Sequence, residues 1–263
     1  MGLVLQLTVV SSFQQRAAQQ RAFDAFRADL AEGVAPVGPT GDEGNLLPLG
    51  TPVAYLEIPS IGLRQVVAEG TTSEVLFSGP GHRRDTPLPG QAGTSLIAGR
   101  RAAYGGPFAR IGELDAGDTI HVTTGQGEFD YRVIGVRRAG ERQPAVYQRG
   151  SGRLVLATAA GSAFFPSDVV WVDADLSVPA VAAPGGRIGH SALPGSELLM
   201  ASDTSTLWAL AMWLQLLLAV VVGGIVAWHR WSPAKAWVIF LPALLLAALS
   251  ASGEFAKLLP NLL

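Results

Sequence analysis

Leu114-Asp115-Ala116-Gly117-Asp118-Thr119-Ile120-His121-Val122-Thr123-Thr124-Gly125-Gln126-Gly127-Glu128-Phe129-Asp130-Tyr131-Arg132-Val133 reads as a turn followed by two strands. Thr119–Thr123 and Glu128–Val133 flank Thr124-Gly125-Gln126-Gly127, a short polar, glycine-bearing connection that signals a hairpin. Outward from it, Val53–Ile58, Thr94–Ala98, Arg153–Thr158 and Val169–Val172 are further short runs rich in apolar and β-branched residues, separated by Gly and Pro. Many short strands over about 120 residues predict a mainly β domain at 53–176, either a closed barrel or a sandwich.

The flanks differ in character. Phe13–Glu32 is predicted helical, with Phe23, Phe26 and Leu30 at helical spacing. Two arrangements are open to it: a stalk rising from a membrane, or an amphipathic helix lying on the domain. Residues 33–52 are rich in Gly and Pro and read as a linker, so 13–52 forms one unit of helix and linker. Residues 177–206 are again rich in Pro, Gly and Ala and are predicted to tether the domain to the apolar C-terminal segment. Residues 207–263 are predicted to form a transmembrane hairpin. Leu207–Trp228 is long enough to cross a hydrocarbon core of about 30 Å, and Ala236–Ala251 serves as a second span if its flanks contribute. Pro242 is tolerable in such a helix. The connecting stretch from His229 to Lys235 is basic, which places it in the cytoplasm and residues before Leu207 outside. Trp208, Trp228, Trp231 and Trp237 fall near the span ends, and Trp213 with Gly223-Gly224 offers a helix-packing surface. Residues 1–12 open with an apolar run too short to span, read as part of a membrane segment.

Composition narrows the function. The 263 residues are 49% hydrophobic, yet charges are distributed through the first two hundred, so the excess apolar content belongs to the end of the chain. A formal net charge of -2 gives no electrostatic basis for nucleic-acid binding. With no cysteine there is no disulfide, thiolate metal site or thiol nucleophile. No metal-ligand spacing or phosphate loop is present, and no cofactor is expected.

Several strings resemble sortases, particularly the actinobacterial class E type. Leu56-Glu57-Ile58-Pro59-Ser60-Ile61 is similar to the family's first strand and turn. Gly79-Pro80-Gly81-His82 and Thr86-Pro87-Leu88-Pro89-Gly90-Gln91-Ala92-Gly93 resemble the segment before its catalytic histidine strand. Ile97-Ala98-Gly99-Arg100-Arg101, with a loop reaching Phe108, stands where sortases have Ala-Gly-His-Arg, and Leu114–Asp118 is similar to the family's Leu-x-x-Gly-Asp turn. An Ala-, Gly- and Arg-rich composition with few lysines fits a high-GC actinobacterium. The resemblance implies an eight-stranded sortase-type β-barrel, held outside the membrane, with a groove for a sorting-signal peptide.

The same resemblance points to lost chemistry. Sortases attack a peptide carbonyl with a cysteine thiolate, assisted by a histidine and an arginine. Carried over residue by residue, the histidine position is Arg100, the cysteine position after Leu156-Ala157-Thr158 is Ala159, and the arginine position before Val169 is Asp168. A methyl group is no nucleophile, a guanidinium stays protonated and cannot act as general base, and a carboxylate has the wrong sign for an oxyanion. Arg100 and Asp168 are of opposite charge and suited to pair across the old site. A rescue site would need a hydroxyl, Ser162 just past the cysteine position or Thr158 just before it, with a base, for which His82 is the candidate, although its ordinary role would be loop packing. His121, in a strand, and His190, in the tether, are weaker choices.

These observations predict a non-catalytic sortase-like protein of the cell membrane that scaffolds or regulates a cell-envelope complex. Its partners are expected to be the lipid bilayer and another membrane protein, an active sortase or a sorting-signal peptide. The alternatives are a serine-dependent acyl transferase or hydrolase, or a residual transpeptidase, in the same pocket, and a mainly membrane-embedded subunit that carries the barrel as an accessory.

Overall fold

The computed structural model describes residues 11–41, 45–138, 140–145, 150–162, 165–184, 188–202, 206–230 and 233–263. The hairpin predicted from sequence is its clearest element. Strand β5 (Thr119–Thr124) pairs antiparallel with β6 (Gly127–Arg138), Ile120 opposite Tyr131 and Val122 opposite Phe129. All four of these side chains are buried, so each cross-strand pair also packs the core. The connection is tight because Gly127 adopts φ 128° and the Ala35 and Pro36 carbonyls crowd the face of Gly125 where a Cβ would stand.

Six further strands complete the wall: β1 (Pro52–Ile58), β2 (Leu63–Glu69), β3 (Gly81–His82), β4 (Gly93–Ala98), β7 (Gly152–Ser162) and β8 (Phe165–Leu176). They close into a barrel in the order β1-β2-β3-β4-β7-β8-β6-β5. Closure removes the free edges that an open sheet would present. The pairings β2–β3 and β4–β7 are parallel and the others antiparallel. Between barrel and sandwich, the barrel is therefore the architecture. Val53, Leu56, Ile58, Ile97, Phe108 and Leu154 belong to its interior cluster. The Pro89-Gly90-Gln91 string has a structural role: the Gly90 amide donates to the Tyr131 hydroxyl inside the barrel, and the Gln91 amide group donates to the Val37 carbonyl and to Gln126.

Helix α1 (Ser11–Glu32) lies on the barrel, which decides between the two arrangements open to it. Gln19 accepts from the Val66 amide and donates to the Val66 and Ser78 carbonyls, Gln15 bonds Gln65, and Phe23 meets Tyr55 at 5.1 Å. Phe26 is fully covered, an interaction worth about 2 kcal/mol. The N-terminal membrane segment expected at 1–12 lies almost wholly outside the described residues.

Short helix α2 (Ser73–Ser78) follows β2, its first turn capped by the Thr72 hydroxyl, which accepts from the Val75 amide. Two long helices end the chain, α3 (Leu207–Arg230) and α4 (Pro233–Lys257). Both are long and apolar enough to cross a membrane, with mean hydropathy of 2.4 and 1.9 over their spans. They pack on each other through Phe240, whose ring rests on Gly223 and Gly224, so the small pair does form a helix-packing surface. Trp208 and Val238 among others project outward, 79% and 75% exposed, a surface that water does not favour. The predicted loop residues Trp231 and Ser232 fall outside the described part.

Candidate functional site

Strand β4 and strand β7 run side by side, Ala98 opposite Ala157, and their ends define one mouth of the barrel. The chain leaves β4 through Gly99, whose amide donates to the Ala157 carbonyl and whose carbonyl accepts from the Thr158 hydroxyl. Phe108 sits so close to Gly99 that a Cβ would meet its ring at 2.5 Å, which explains glycine at this point of the Ala-Gly string. Ala159 is next on β7, buried, with its carbonyl accepting from the Arg101 guanidinium at 3.2 Å. Across the β7–β8 hairpin, Ala160 stands opposite Asp168 and Ala159 opposite Val169. Ala159 and Asp168 thus share one neighbourhood, and both line a cavity of about 580 Å³ together with Arg101, Glu113, Arg138 and Thr158.

Arg100 takes a different course. Its side chain is wholly buried, with the guanidinium 4.6 Å from the Phe77 ring and 5.4 Å from the Tyr104 ring. Those rings stack on each other at 4.0 Å. Among the described residues, Nε, Nη1 and Nη2 of Arg100 have no hydrogen-bond partner. Burial pushes its pKa down to about 10, so it remains a cation at neutral pH. The expected Arg100–Asp168 pair does not form among the described residues. Asp168 instead accepts from the Val169 amide, and Arg100 is turned into the aromatic pair.

The cations that do face the cavity are Arg101 and Arg138, neither singled out in the sequence. Arg101 neighbours the expected position, and Arg138 ends β6, opposite Val170 of β8. A second arginine after Ala-Gly was the available signal for the first. No local pattern marks the second, because only barrel closure brings β6 beside β8.

The rescue residues are not seen as a pair. Ser162 ends β7, but its side chain lies outside the described part. His82 lies in β3 and is wholly buried, Nδ1 2.8 Å from Glu69 Oε2 and Nε2 2.9 Å from the Pro87 carbonyl. Burial draws its pKa down, but the Glu69 charge and hydrogen bond, the Pro87 carbonyl and the Asp85 charge outweigh this, and the net direction is upward. Thr158 is also occupied, donating to Gly99. His121 is at the surface beside Asp130, and His190 is exposed beside Asp85. Among the described residues no three acidic or histidine side chains gather as a metal site.

Closed strand order, parallel β4–β7 pairing and a polar cavity at their shared mouth define a sortase-type barrel. Residues 56–164, 109 of the 263, match the family model described as Sortase domain. Sortase D of Bacillus subtilis (strain 168) is 35% identical over 79 residues, 30% of this chain and 38% of that protein. Sortase A of Bacillus anthracis is 25% identical over 107 residues, 40% of this chain and 51% of that protein. The chain therefore spans about half or less of the length of these curated relatives. Among solved structures, a Clostridium perfringens sortase D5 transpeptidase superposes with a TM-score of 0.51 at 22% identity, covering 62% of this chain and 99% of that one, a likeness of fold.

Proposed function

We propose that this sortase-fold protein works by binding, as a scaffold or regulator in a cell-envelope membrane complex, rather than by transpeptidation. The observation that supports the reading is that Ala159, which the resemblance sets at the cysteine position, lines the cavity with a methyl group. Arg100, set by the resemblance at the histidine position, adds to it, since its side chain points into an aromatic pair and keeps its proton. Asp168 lines the cavity where the resemblance calls for an arginine. The serine-dependent alternative gains nothing from His82, both of whose ring nitrogens are engaged. Incubating the detergent-solubilised chain with a panel of sorting-signal peptides, beside an active sortase, should give no cleavage or transfer. Turnover above a heat-treated control overturns the reading, and its loss on Ser162→Ala would assign it to a serine.

The barrel is proposed to face outward, held by α3 and α4 as two spans, with the basic connection in the cytoplasm. The chain has no cysteine, so single ones report cleanly. An impermeant thiol reagent on intact cells should label Glu128→Cys at the start of β6 and spare Ser232→Cys; the reverse pattern refutes the topology. The partners best suited to this placement are another envelope membrane protein, an active sortase, or a sorting-signal peptide in the groove.

A further inference from the structure

We infer that the outer face of β4 and β7 carries a peptide-binding groove built for an Asn-Leu-Leu turn, and that residues 261–263 of the same chain occupy it as an exchangeable plug. After α4 the chain folds back onto the outer face of the barrel wall, and Asn261, Leu262 and Leu263 are all fully or almost fully buried. The contacts are those of a bound peptide. The Leu262 carbonyl accepts from the Arg101 amide at 3.1 Å and the Leu263 carbonyl from the Ala103 amide at 3.4 Å, so a turn at 260–263, closed by the Leu263 amide on the Pro260 carbonyl, is held by backbone bonds to the segment that leaves β4. The Leu262 side chain joins Leu76, Leu96, Ala98, Ala157 and Ala159 in one apolar cluster. The three alanines leave room that a leucine fills.

Asn261 sets the register. Its Oδ1 accepts from the Ser73 hydroxyl at 2.6 Å, and its Nδ2 donates to the Ser196, Leu198 and Thr71 carbonyls at 2.7, 3.0 and 3.2 Å. Its own amide donates to the Ala201 carbonyl. A buried amide so fully satisfied discriminates strongly, because an apolar residue there strands several polar groups. Backbone pairing on one side, an apolar socket in the middle and a polar lock at the entrance give the groove affinity, depth and register. The inference does not depend on the absence of catalysis, since peptide turnover would sink the function proposed above and leave the plug in place.

The test uses the whole chain in detergent and a labelled peptide of residues 258–263. Deleting those residues should create saturable binding of the peptide, with little binding to the intact chain, whose own segment competes at high local concentration. Replacing asparagine by alanine in the peptide should weaken binding about tenfold or more. Should the deleted chain fold poorly, Asn261→Ala in the intact chain gives a second reading. Hydrogen exchange at the Arg101 and Ala103 amides should quicken several-fold, while exchange in the β5–β6 hairpin stays unchanged. Failure of a folded deletion variant to bind, equal binding by both chains, or unaltered exchange at those two amides overturns the inference.

Discussion

Replacing His82 by alanine is expected to destabilise the barrel by about 3–5 kcal/mol, the cost of leaving one member of a buried ion pair alone. His82 and Glu69 are both wholly covered, at the junction where β2 and β3 pair in parallel. Removing the imidazole leaves the Glu69 carboxylate facing a void, and Glu69 Oε1 already lacks a partner among the described residues. The direction of the His82 shift sets the pH dependence. A histidine whose folded pKa is raised contributes stability that is complete below its unfolded value, near 6.5, and is lost as pH climbs through the folded value. Thermal melts of the wild-type and His82→Ala chains between about pH 6.5 and 9 should show the widest gap at the lower end. A gap that is constant, or that grows with pH, would rule out a charged His82.

Replacing Arg100 by methionine should act in the opposite direction and stabilise the protein by about 1–3 kcal/mol. The guanidinium has lost its water and gained no acceptor among the described residues, and its pKa has fallen from 12.5 to about 10 because burial penalises the charge. A depression of that size corresponds to about 3 kcal/mol of strain on the charged state at neutral pH. Contact with Phe77 and Tyr104 returns part of it. The sign is fixed: the folded form binds its proton less tightly than the unfolded one, so the cost is full below about pH 10 and fades above it. Methionine keeps most of the stem volume and its contact with the rings without the charge. A lowered melting temperature for Arg100→Met at pH 7 would refute this account and indicate an anion that balances the guanidinium.

Strands with a clean apolar pattern were legible before the structure. Thr119–Thr124 alternates buried and half-buried positions, as hairpin strands with one wet face do. Leu63–Glu69 was missed because Val66 and Val67 are adjacent and both buried, which breaks the period, and Gly81–His82 is too short to carry one. The resemblance marked Ala159 and Asp168, and the β7–β8 register brings both beside one cavity. It did not reveal that Arg100 turns inward while Arg101 faces the cavity, since side-chain direction just beyond a strand depends on what packs there. The buried tail was hidden for another reason. Its partners at Thr71, Ser73 and Arg101 stand more than 150 positions away in sequence, beyond any local pattern. Asn261, a polar residue in an otherwise apolar ending, was the trace available.

From α4 the chain folds straight back onto the barrel wall. From Lys257 to Asn261 the backbone can stretch at most about 14 Å, and the Ser73 hydroxyl lies 3.4 Å from the Lys257 carbonyl itself. If α4 is a span, the groove mouth is moored within a headgroup's depth of the lipid and cannot swing away on a long leash. The segment from 188 to 202 adds a second mooring line through Glu197, which is buried and bonded to Arg84 and whose carbonyl accepts from Thr71. With both helices as spans, a barrel tied at two points would keep a fixed heading over the bilayer. A partner would then have to arrive along the plane of the membrane, so that reach and approach angle, as much as sequence, would select what docks.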